Sequence, residues 1–388
     1  MLQRIQTRSG RLALASAVSA AALVASSAPL AAAAAPPAPP AAAAAPTCAV
    51  ISATVDTELT DRFGEYGDTA GAWTGADSAY SVVLPDGRIA WIYSDTFLGE
   101  VDENHGRPLD SPFIHNSINV DDDGVITTYT GGTPEAPESL VKVDGADESQ
   151  DWYWFGDATV HGDELQVLLV EFVKTGSTMW DFRFEGNGVA TFDATTLELL
   201  SVEDVATDGI NWGSAIYENP DDGYTYVYGV EDLGAQKFAH LARVAGGDLA
   251  DGQWEYLGDA GWSTDYTATK RILEGVSNEF SVSKYQGRYT LVTGDATEIL
   301  SSKIVMYRSE SLEGPWTGKT VLYSTPETGG NIFTYNAKAH PALGNGHTLL
   351  VTYNVNSFDT NDLYTEVDNY RPRYVEVDAK ISNSSQCR

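Results

Sequence analysis

From Ala72 onward the chain alternates short apolar runs, rich in Val, Ile, Tyr, Trp and Thr, with turns of Gly, Asp and Asn. Helical periodicity is nearly absent there, so the pattern predicts an all-β fold. A similar hairpin sequence occurs five times: LPDGRIAWIYSD around Gly87, HGDELQVLLVE at 161–171, PDDGYTYVYGVE around Gly223, KYQGRYTLVTGD around Gly287 and LGNGHTLLVTYN around Gly346. The chain therefore contains an internal repeat of hairpins.

The spacing of these hairpins predicts the architecture. Five hairpins over about 340 residues leave roughly 60–70 residues for each unit, enough for the four strands of a propeller blade. A propeller closes into a ring, so its two ends must meet. We therefore predict one five-bladed β-propeller domain over residues 47–388. A β-sandwich or a β-helix is the alternative, although neither requires joined ends.

The first hairpin carries an aspartate at each side of its open end, Asp77 and Asp95. Because proline cannot take the positive φ of a type I′ turn, residues 85–87 are expected to form a three-residue loop with a left-handed glycine. That loop pairs Leu84 with Arg88, and the same register sets Asp77 opposite Asp95. Opposed like charges destabilise a strand pair, so the pair indicates a functional use. The alternative is that each aspartate caps its own strand end through an Asx turn.

Strand starts and ends of the inner hairpins should ring the upper mouth of the propeller. The hairpin face that carries Trp91, Tyr93 and both aspartates is expected to look into the central channel. The third strands should restart near His115–Asn116 and near 370–371. The polar side chains expected to converge at the mouth are Asp77, Asp95, Glu171, Glu231, Asp295, Asn336 and Asn354. Glu279 is expected one step further down its strand.

Four aromatic residues stand just before inner strands: Trp73, Trp154, Trp212 and Tyr335. Aromatic rings beside polar groups at a concave mouth suit stacking against sugars. The other interpretation is that the tryptophans fill the core between blades.

The first 46 residues have the layout of a secretory signal followed by a low-complexity linker. Arginines at 4, 8 and 11 precede an apolar stretch from Leu12, and an Ala/Pro-rich tract ends near Pro46. No later run approaches the ~20 apolar residues of a membrane helix. We therefore expect a secreted protein.

Cysteine use and charge limit the partners. The chain has two cysteines, Cys48 and Cys387, which in an exported protein favour a disulfide that joins the ends, with two free thiols as the alternative. The formal net charge of −32 repels nucleic acid and anionic lipid. We expect a carbohydrate ligand, no nucleic-acid or membrane partner, and a monomer.

Several catalytic signatures are missing. The sequence has no Gly-x-Ser-x-Gly elbow, no His-Glu-x-x-His zinc motif and no phosphate-binding glycine loop. Residues 119–124 begin like a calcium loop, but the twelfth position is Thr130, so we expect a turn and no metal. What remains is carboxylates among aromatic residues. Glycoside hydrolysis needs two carboxylates with separated titrations, which opposed aspartates can provide.

Several segments together resemble a known family: WTGADSAYSVVLPDGRIAWIYSDTFLG, SPFIHNSINV, YVYGVEDLGAQKFAHLARV, NEFSVSKYQGRYTLVTGD, SESLEGPW and YNAKAHPALGNGHTLLVTYNVN. They look like secreted actinobacterial five-bladed propellers catalogued as domains of unknown function, over about Asp68 to Val377. The resemblance implies kinship with the endo-D-arabinanases of glycoside hydrolase family 183 and, more distantly, with families 43, 62 and 32. In the first group the implied catalytic pair is Asp77 and Asp95. This chain has Ser-Asp-Thr-Phe at 94–97 where that group has Gly-Asp-Thr-Phe, and Ala-Asp-Ser around Asp77 where that group has Thr-Asp-Leu.

The distant families imply a different set. On their pattern Asp77 is the base, Glu279 the general acid and Asp157 the residue that tunes the acid. His340 would lie on the axis, where those relatives hold a water or an ion, unless it is a hydrogen-bonded core histidine.

Together these observations predict a glycosidase without a required cofactor. It would cleave a furanose-containing polysaccharide of arabinan or arabinogalactan type, with inversion, using Asp77 as base and Asp95 or Glu279 as acid. We expect its substrate contacts from Trp73, His115, Asn116, Trp154, Asp157, Trp212, Asp295, Asn336 and His340. The rival hypothesis is a lectin-like propeller that binds glycan without cleaving it.

Overall fold

The computed structural model describes residues 48–178, 180–344 and 346–382. The predicted signal and linker, residues 1–46, lie outside this range, as does Cys387. The described chain begins with strand β1 (Cys48–Val55) and helix α1 (Thr57–Thr69). Within the described ranges, no helix is both long and apolar enough to cross a membrane.

Five antiparallel sheets follow one another along the chain. Blade 1 contains β2 (Trp73–Val83), β3 (Ile89–Leu98), the short β4 (Phe113–Ile114), β5 (Ser117–Asp122) and β6 (Val125–Tyr129). A small hairpin, β7 (Gly131–Thr133) and β8 (Ala136–Glu138), leads to the next blade. Blade 2 contains β9 (Asp151–His161), β10 (Glu164–Lys174), β11 (Phe182–Asp193) and β12 (Leu199–Val205).

The other three blades repeat this arrangement. Blade 3 contains β13 (Ile210–Asn219), β14 (Tyr224–Asp232), β15 (Lys237–Ala245), β16 (Trp254–Gly258), β17 (Gly261–Ser263) and β18 (Leu273–Glu274). Blade 4 contains β19 (Phe280–Tyr285), β20 (Arg288–Gly294), β21 (Lys303–Ser309) and β22 (Thr317–Ser324). Blade 5 contains β23 (Ile332–Ala339), β24 (Leu349–Ser357) and β25 (Pro372–Ser382), with helix α2 (Asn361–Thr365) and 3₁₀ turns at Pro341–Leu343 and Val367–Tyr370.

The innermost strands form a closed ring. Strand β2 contacts β9, β9 contacts β13, β13 contacts β19, β19 contacts β23, and β23 contacts β2. Strand β1 pairs with β25 from Cys48 opposite Ser382 to Val55 opposite Val375. The N-terminal strand is therefore the outermost strand of blade 5, and the predicted five-bladed propeller closed near its ends is confirmed. The Cys48–Cys387 disulfide stays a prediction.

The hairpin turns follow from their residues. In blade 1 the Leu84 N–H donates to the Arg88 carbonyl at 2.8 Å and Gly87 has φ +93°, which is the predicted three-residue loop. In blade 4 the turn has two residues, Gln286 and Gly287, both with positive φ, as a type I′ turn requires. The calcium-like segment ends strand β5 with residues 119–122, and residues 123–124 form the turn to β6.

Helix α1 was not predicted from the sequence. Its N-cap is Asp56, whose carboxylate accepts from the Leu59 N–H at 3.0 Å. The helix packs Phe63 onto blades 1 and 5, with ring centroids 5.3 Å from Trp91 and 5.5 Å from Tyr374. The spacing of Leu59, Phe63 and Tyr66 is a helical signal, but it is short and lies among charged residues.

The core lies between blades, because the faces of each sheet pack on its neighbours. This arrangement corrects one expectation. Trp91 and Tyr93 do not look into the central channel, because both are fully buried in the cluster between blade 1, blade 5 and α1.

Candidate active site

Irregular strand pairing shapes the centre of the ring. The register of the inner strand shifts in four blades: between residues 76 and 80, 155 and 158, 211 and 215, and 335 and 338. Three non-glycine residues at these shifts have positive φ: Ser78 (+70°), Ala79 (+62°) and Asn336 (+55°). Bulges re-aim side chains out of the regular alternation. They therefore decide which polar side chains reach the cavity.

A cavity of about 870 Å³ is lined by residues from these irregular strand regions. Its carboxylates are Asp77, Asp95, Asp232 and Glu279, and other polar side chains include His115, Asn211, Asn278, Asn336 and Asn356. Most of the large side chains that line it are aromatic: Phe97, Phe113, Trp152, Trp154, Phe155, Phe172, Trp180, Phe182, Phe184, Phe333, Tyr335, Tyr364 and Tyr370.

The aromatic residues form two groups. On the blade 2 side, the rings of Trp154 and Phe172 lie 4.4 Å apart, and Trp152 stacks on His115 at 4.8 Å. On the other side, Trp180 from the β10–β11 connection lies 6.3 Å from Phe333 of β23. Blades 2 and 5 are not neighbours in the ring, so this contact spans part of the mouth.

Asp77 is held by two tyrosines. Its Oδ2 accepts from the hydroxyl of Tyr335 at 2.7 Å and from that of Tyr370 at 3.0 Å. Its Oδ1 is buried and has no hydrogen-bonding partner among the described residues. Burial, followed by the negative charges of Asp95 and Glu279, raises the pKa of Asp77 well above its usual range, although the tyrosine hydrogen bonds oppose the shift.

Asp95 accepts two N–H donors on one oxygen. His115 Nδ1 lies 2.8 Å from Asp95 Oδ1, and Trp154 Nε1 lies 2.7 Å from the same oxygen. The register on either side of the β2 bulge is the predicted one, with Val83 opposite Ile89 and Ala76 opposite Thr96. The structure therefore brings both aspartates to one cavity, with a bulge between them and the regular part of the hairpin.

Glu279 lies immediately before β19 and is paired with a buried lysine. Its Oε2 accepts from Lys338 Nζ at 2.5 Å and from the Ser78 hydroxyl at 3.1 Å. Burial raises the pKa of Glu279, and the ammonium of Lys338 opposes that shift.

Neither Asp157 nor His340 lines the cavity. Asp157 accepts the backbone N–H groups of Ile216 at 2.6 Å and of Ala158 at 2.9 Å, and burial raises its pKa to about 7. His340 bonds the hydroxyls of Ser81 and Thr352 through its two ring nitrogens, at 2.6 and 2.7 Å. Burial lowers the pKa of His340 to about 3, so it is a neutral core histidine.

Other predicted site residues lie away from the cavity. Trp73 and Trp212 are 0 % exposed and pack between blades, so the core interpretation holds for them, whereas Trp154 and Tyr335 line the cavity. Asn116 is buried and bonds the carbonyls of Val141 and Tyr153.

The predicted convergence of strand-end polar residues is wrong for four of them. Asp295 pairs with Lys319 at 2.6 Å and Glu231 pairs with Arg271 at 2.6 Å, so both carboxylates are neutralised outside the cavity. Neither Glu171 nor Asn354 lines the cavity either; Asn354 Nδ2 reaches the Ala76 carbonyl at 3.5 Å.

Sequence reasoning missed Lys338, Tyr370 and Trp152. The signal for Lys338 was its place in Tyr-Asn-Ala-Lys-Ala-His, because a lysine inside an inner strand is rarely buried without a partner. Tyr370 reaches Asp77 only because a 3₁₀ turn precedes β25, and no residue pattern indicated this.

Among the residues that the structure describes, one group of side chains could hold a metal ion. Ligand atoms of His105, Glu366 and Asp368 lie within 4.8 Å of one another. These residues are partly or largely exposed and do not line the cavity. They bond other protein groups, with His105 Nδ1 2.7 Å from Glu366.

The fold and the site together define a five-bladed propeller with a carboxylate-bearing central cavity. The profile of a family described as Domain of unknown function (DUF5005) matches residues 60–380. The chain belongs to this family. No curated protein matches it.

Several solved structures are similar to this chain. A crystal structure from Bacteroides ovatus ATCC 8483, of a protein only provisionally assigned as a hydrolase, is 25% identical with a TM-score of 0.71, over 84% of this chain and 90% of that one. A GH43 enzyme from Xanthomonas citri complexed with xylotriose is 15% identical with a TM-score of 0.48, over 82% of this chain and 91% of that one. The exo-β-1,3-galactanase of Phanerochaete chrysosporium is 13% identical with a TM-score of 0.47, over 84% of this chain and 63% of that one.

Proposed function

We propose that the protein is a secreted glycoside hydrolase whose catalytic pair is Asp77 and Asp95. The observation that carries the proposal is that the two ends of one hairpin bring two carboxylates to a single aromatic-lined cavity, where burial and the charge of Asp95 raise the pKa of Asp77. Hydrolysis also agrees with the provisional assignment of the Bacteroides ovatus relative.

The two aspartates have different roles in this proposal. Asp77 has a raised pKa and a buried Oδ1 without a partner among the described residues, both of which favour its protonated form. We therefore assign the general acid to Asp77, although the sequence alone suggested the base. Asp95, fixed by N–H groups of His115 and Trp154, is the base.

In the proposed reaction, one aspartate donates a proton and the other accepts one. Asp77 gives its proton to the glycosidic oxygen as the bond from that oxygen to the anomeric carbon breaks. Asp95 takes a proton from the water that attacks the same carbon, which gives inversion. NMR of the first product anomer would measure this stereochemistry directly.

The substrate class rests on the cavity wall and on the family resemblance. Aromatic rings such as Trp154 and Phe172 offer apolar faces to sugar rings, and the acidic chain suits an uncharged polymer. The resemblance to arabinan-active propellers favours furanose sugars. We therefore propose a furanose-containing polysaccharide of arabinan or arabinogalactan type.

The test is a screen of purified protein 47–388 against L- and D-arabinans, arabinoxylan and fructans, read as new reducing ends. We expect turnover of at least one polymer, lost in Asp95→Asn. Binding of a polymer by calorimetry with no turnover would instead support the lectin-like alternative. The absence of both binding and turnover would overturn the carbohydrate assignment for these polymers.

A further inference from the structure

Lys338 is buried and contacts Glu279, which lines the cavity. It lies on β23 at the strand's register shift, and its side chain is 1% exposed. Its ammonium donates to Glu279 Oε2 at 2.5 Å and to the carbonyl oxygen of Ser78. The same nitrogen lies 4.2 Å from the centroid of the Tyr80 ring.

A buried ammonium is costly unless charge and hydrogen bonds compensate it. Burial lowers the pKa of Lys338, and three carboxyl groups from three strand regions oppose that shift: Glu279 before β19, Asp157 of β9 and Asp77 of β2. Of these, Glu279 makes the direct hydrogen bond. The other titratable neighbours, Tyr80 and His340, are neutral, because burial raises the pKa of Tyr80 and lowers that of His340.

The contact with Ser78 links the same lysine to Asp77. Ser78 follows Asp77 and has φ +70°, a conformation that a serine rarely adopts. Its carbonyl accepts from Lys338 and its hydroxyl donates to Glu279. The bulge that aims Asp77 is therefore fixed by the Lys338–Glu279 pair.

We propose that Lys338 is a positioning residue that keeps Glu279 anionic in the cavity and fixes the bulge that directs Asp77. This inference rests on the proposed glycosidase function. The anion would stabilise the positive charge that develops on the sugar ring in the transition state. This role differs from that of a general acid. A general acid must be protonated, and the adjacent ammonium of Lys338 disfavours protonation of Glu279.

The test replaces Lys338 by methionine, which preserves length and removes the charge. Without the ammonium, the pKa of Glu279 rises, so a higher pH is needed to keep it ionised. We expect the acid limb of the kcat/KM profile to move up by about one pH unit, a roughly tenfold extra loss at the acid end. The matched control is Lys319→Met, which removes a lysine from Asp295 outside the cavity and should leave both limbs in place.

A second readout does not need turnover. In a protein labelled with ¹³C at glutamate carboxyls, the Glu279 signal should titrate at higher pH in Lys338→Met than in the wild type. If Lys338→Met does not fold, Lys338→Met with Glu279→Gln removes both charges, and its kcat/KM should match that of Glu279→Gln alone because the lysine acts through Glu279.

Unchanged limbs together with an unchanged Glu279 titration would overturn the proposal, as would an equal shift in Lys319→Met. A double variant clearly less active than Glu279→Gln would assign Lys338 a role independent of Glu279 and would also overturn it. If the wild type cleaves no glycan, the glycosidase proposal fails, whereas the titration still decides whether Lys338 holds Glu279 as an anion.

Discussion

Blades 1 and 4 each begin with a hairpin that carries a carboxylate near both strand ends, yet they use them differently. In blade 1, Asp77 and Asp95 both line the cavity. In blade 4, Glu279 lines the cavity, but Asp295 bonds Lys319 of the outermost strand. The exit aspartate stands eight residues after the turn glycine in both hairpins.

Turn length explains the difference. The loop of blade 1 has three residues, whereas that of blade 4 has two, so that Tyr285 pairs with Arg288. Continued along blade 4, this register sets Gly294 across from Glu279 and turns Asp295 to the opposite face, because side chains alternate along a strand. One residue in a distant turn therefore decides whether a second carboxylate joins the first.

The environments of the two exit aspartates differ accordingly. Asp295 accepts from Lys319 and Thr297, and these groups lower its pKa against the opposing effect of burial. Asp95 instead meets Asp77, whose pKa it raises. Asp295 of blade 4 forms a structural ion pair, whereas Asp95 of blade 1 lies beside a second carboxyl group, as acid–base chemistry requires.

The largest expected effect is on catalysis. Asp77→Asn and Asp95→Asn should each lower kcat/KM by about 10²–10⁴-fold, because each removes a group that transfers a proton. Asp295→Asn, the same change at the corresponding position of blade 4, should stay within about twofold. Steady-state kinetics on the best polymer of the screen measures all three, and a loss in Asp295→Asn as large as in Asp95→Asn would erase the distinction between the hairpins.

A smaller effect concerns the pH profile. If Asp77 is the general acid, kcat/KM falls as the pH rises through its raised pKa. The charge of Glu279 contributes to that pKa, so Glu279→Gln should move the alkaline limb to lower pH, on the order of one unit. An alkaline limb that stays in place, or moves up, would argue against Asp77 as the acid.

The two hairpins should also differ in the sign of a stability change. Native Asp77 has a raised pKa and binds more protons than the unfolded chain above about pH 4, so its contribution to stability falls as the pH rises. Asp77→Asn should therefore raise the free energy of unfolding at pH 8, with little change at pH 4.

Asp295 behaves in the opposite way. Its lowered pKa stabilises the fold above the unfolded pKa, and this contribution is lost as the pH falls through the native pKa. Asp295→Asn should cost about 1–3 kcal/mol at pH 8 and less at pH 3. Denaturant titrations of both variants at each pH give the comparison, and two changes of the same sign at pH 8 would contradict it.

The smallest expected effect lies in the turns themselves. Gly87 and Gly287 have φ of +93° and +75°, and an added Cβ would meet no atom within 4 Å at either. Alanine at each should therefore cost only the left-handed strain, about 1–2 kcal/mol, without changing kcat/KM. A change in activity for Gly87→Ala alone would show that the blade 1 register is less firmly set than that of blade 4.

Much of the fold could be predicted because the turn chemistry and strand composition are local. Glycine positions and the Pro-Asp-Gly loop set the hairpins and the register of Asp77 and Asp95. The bulges could not be predicted, since the local sequence does not indicate the positive φ of Ser78, Ala79 and Asn336, and Ser78 is held by Glu279 and Lys338 of other blades. For the same reason, neither the burial of Trp73 and Trp212 nor the lysine beneath Glu279 could be read from local sequence.

The pairing of β1 with β25 has a consequence for how the chain folds. Strand β1 pairs with a strand that lies more than 300 residues later in the chain. Blade 5 is therefore completed only after this long intervening segment has been ordered. Until then both strands present open edges that another copy of the chain can pair with. We therefore expect refolding at high protein concentration to yield dimers that exchange β1, and dilution to favour closed monomers, as size-exclusion chromatography would measure.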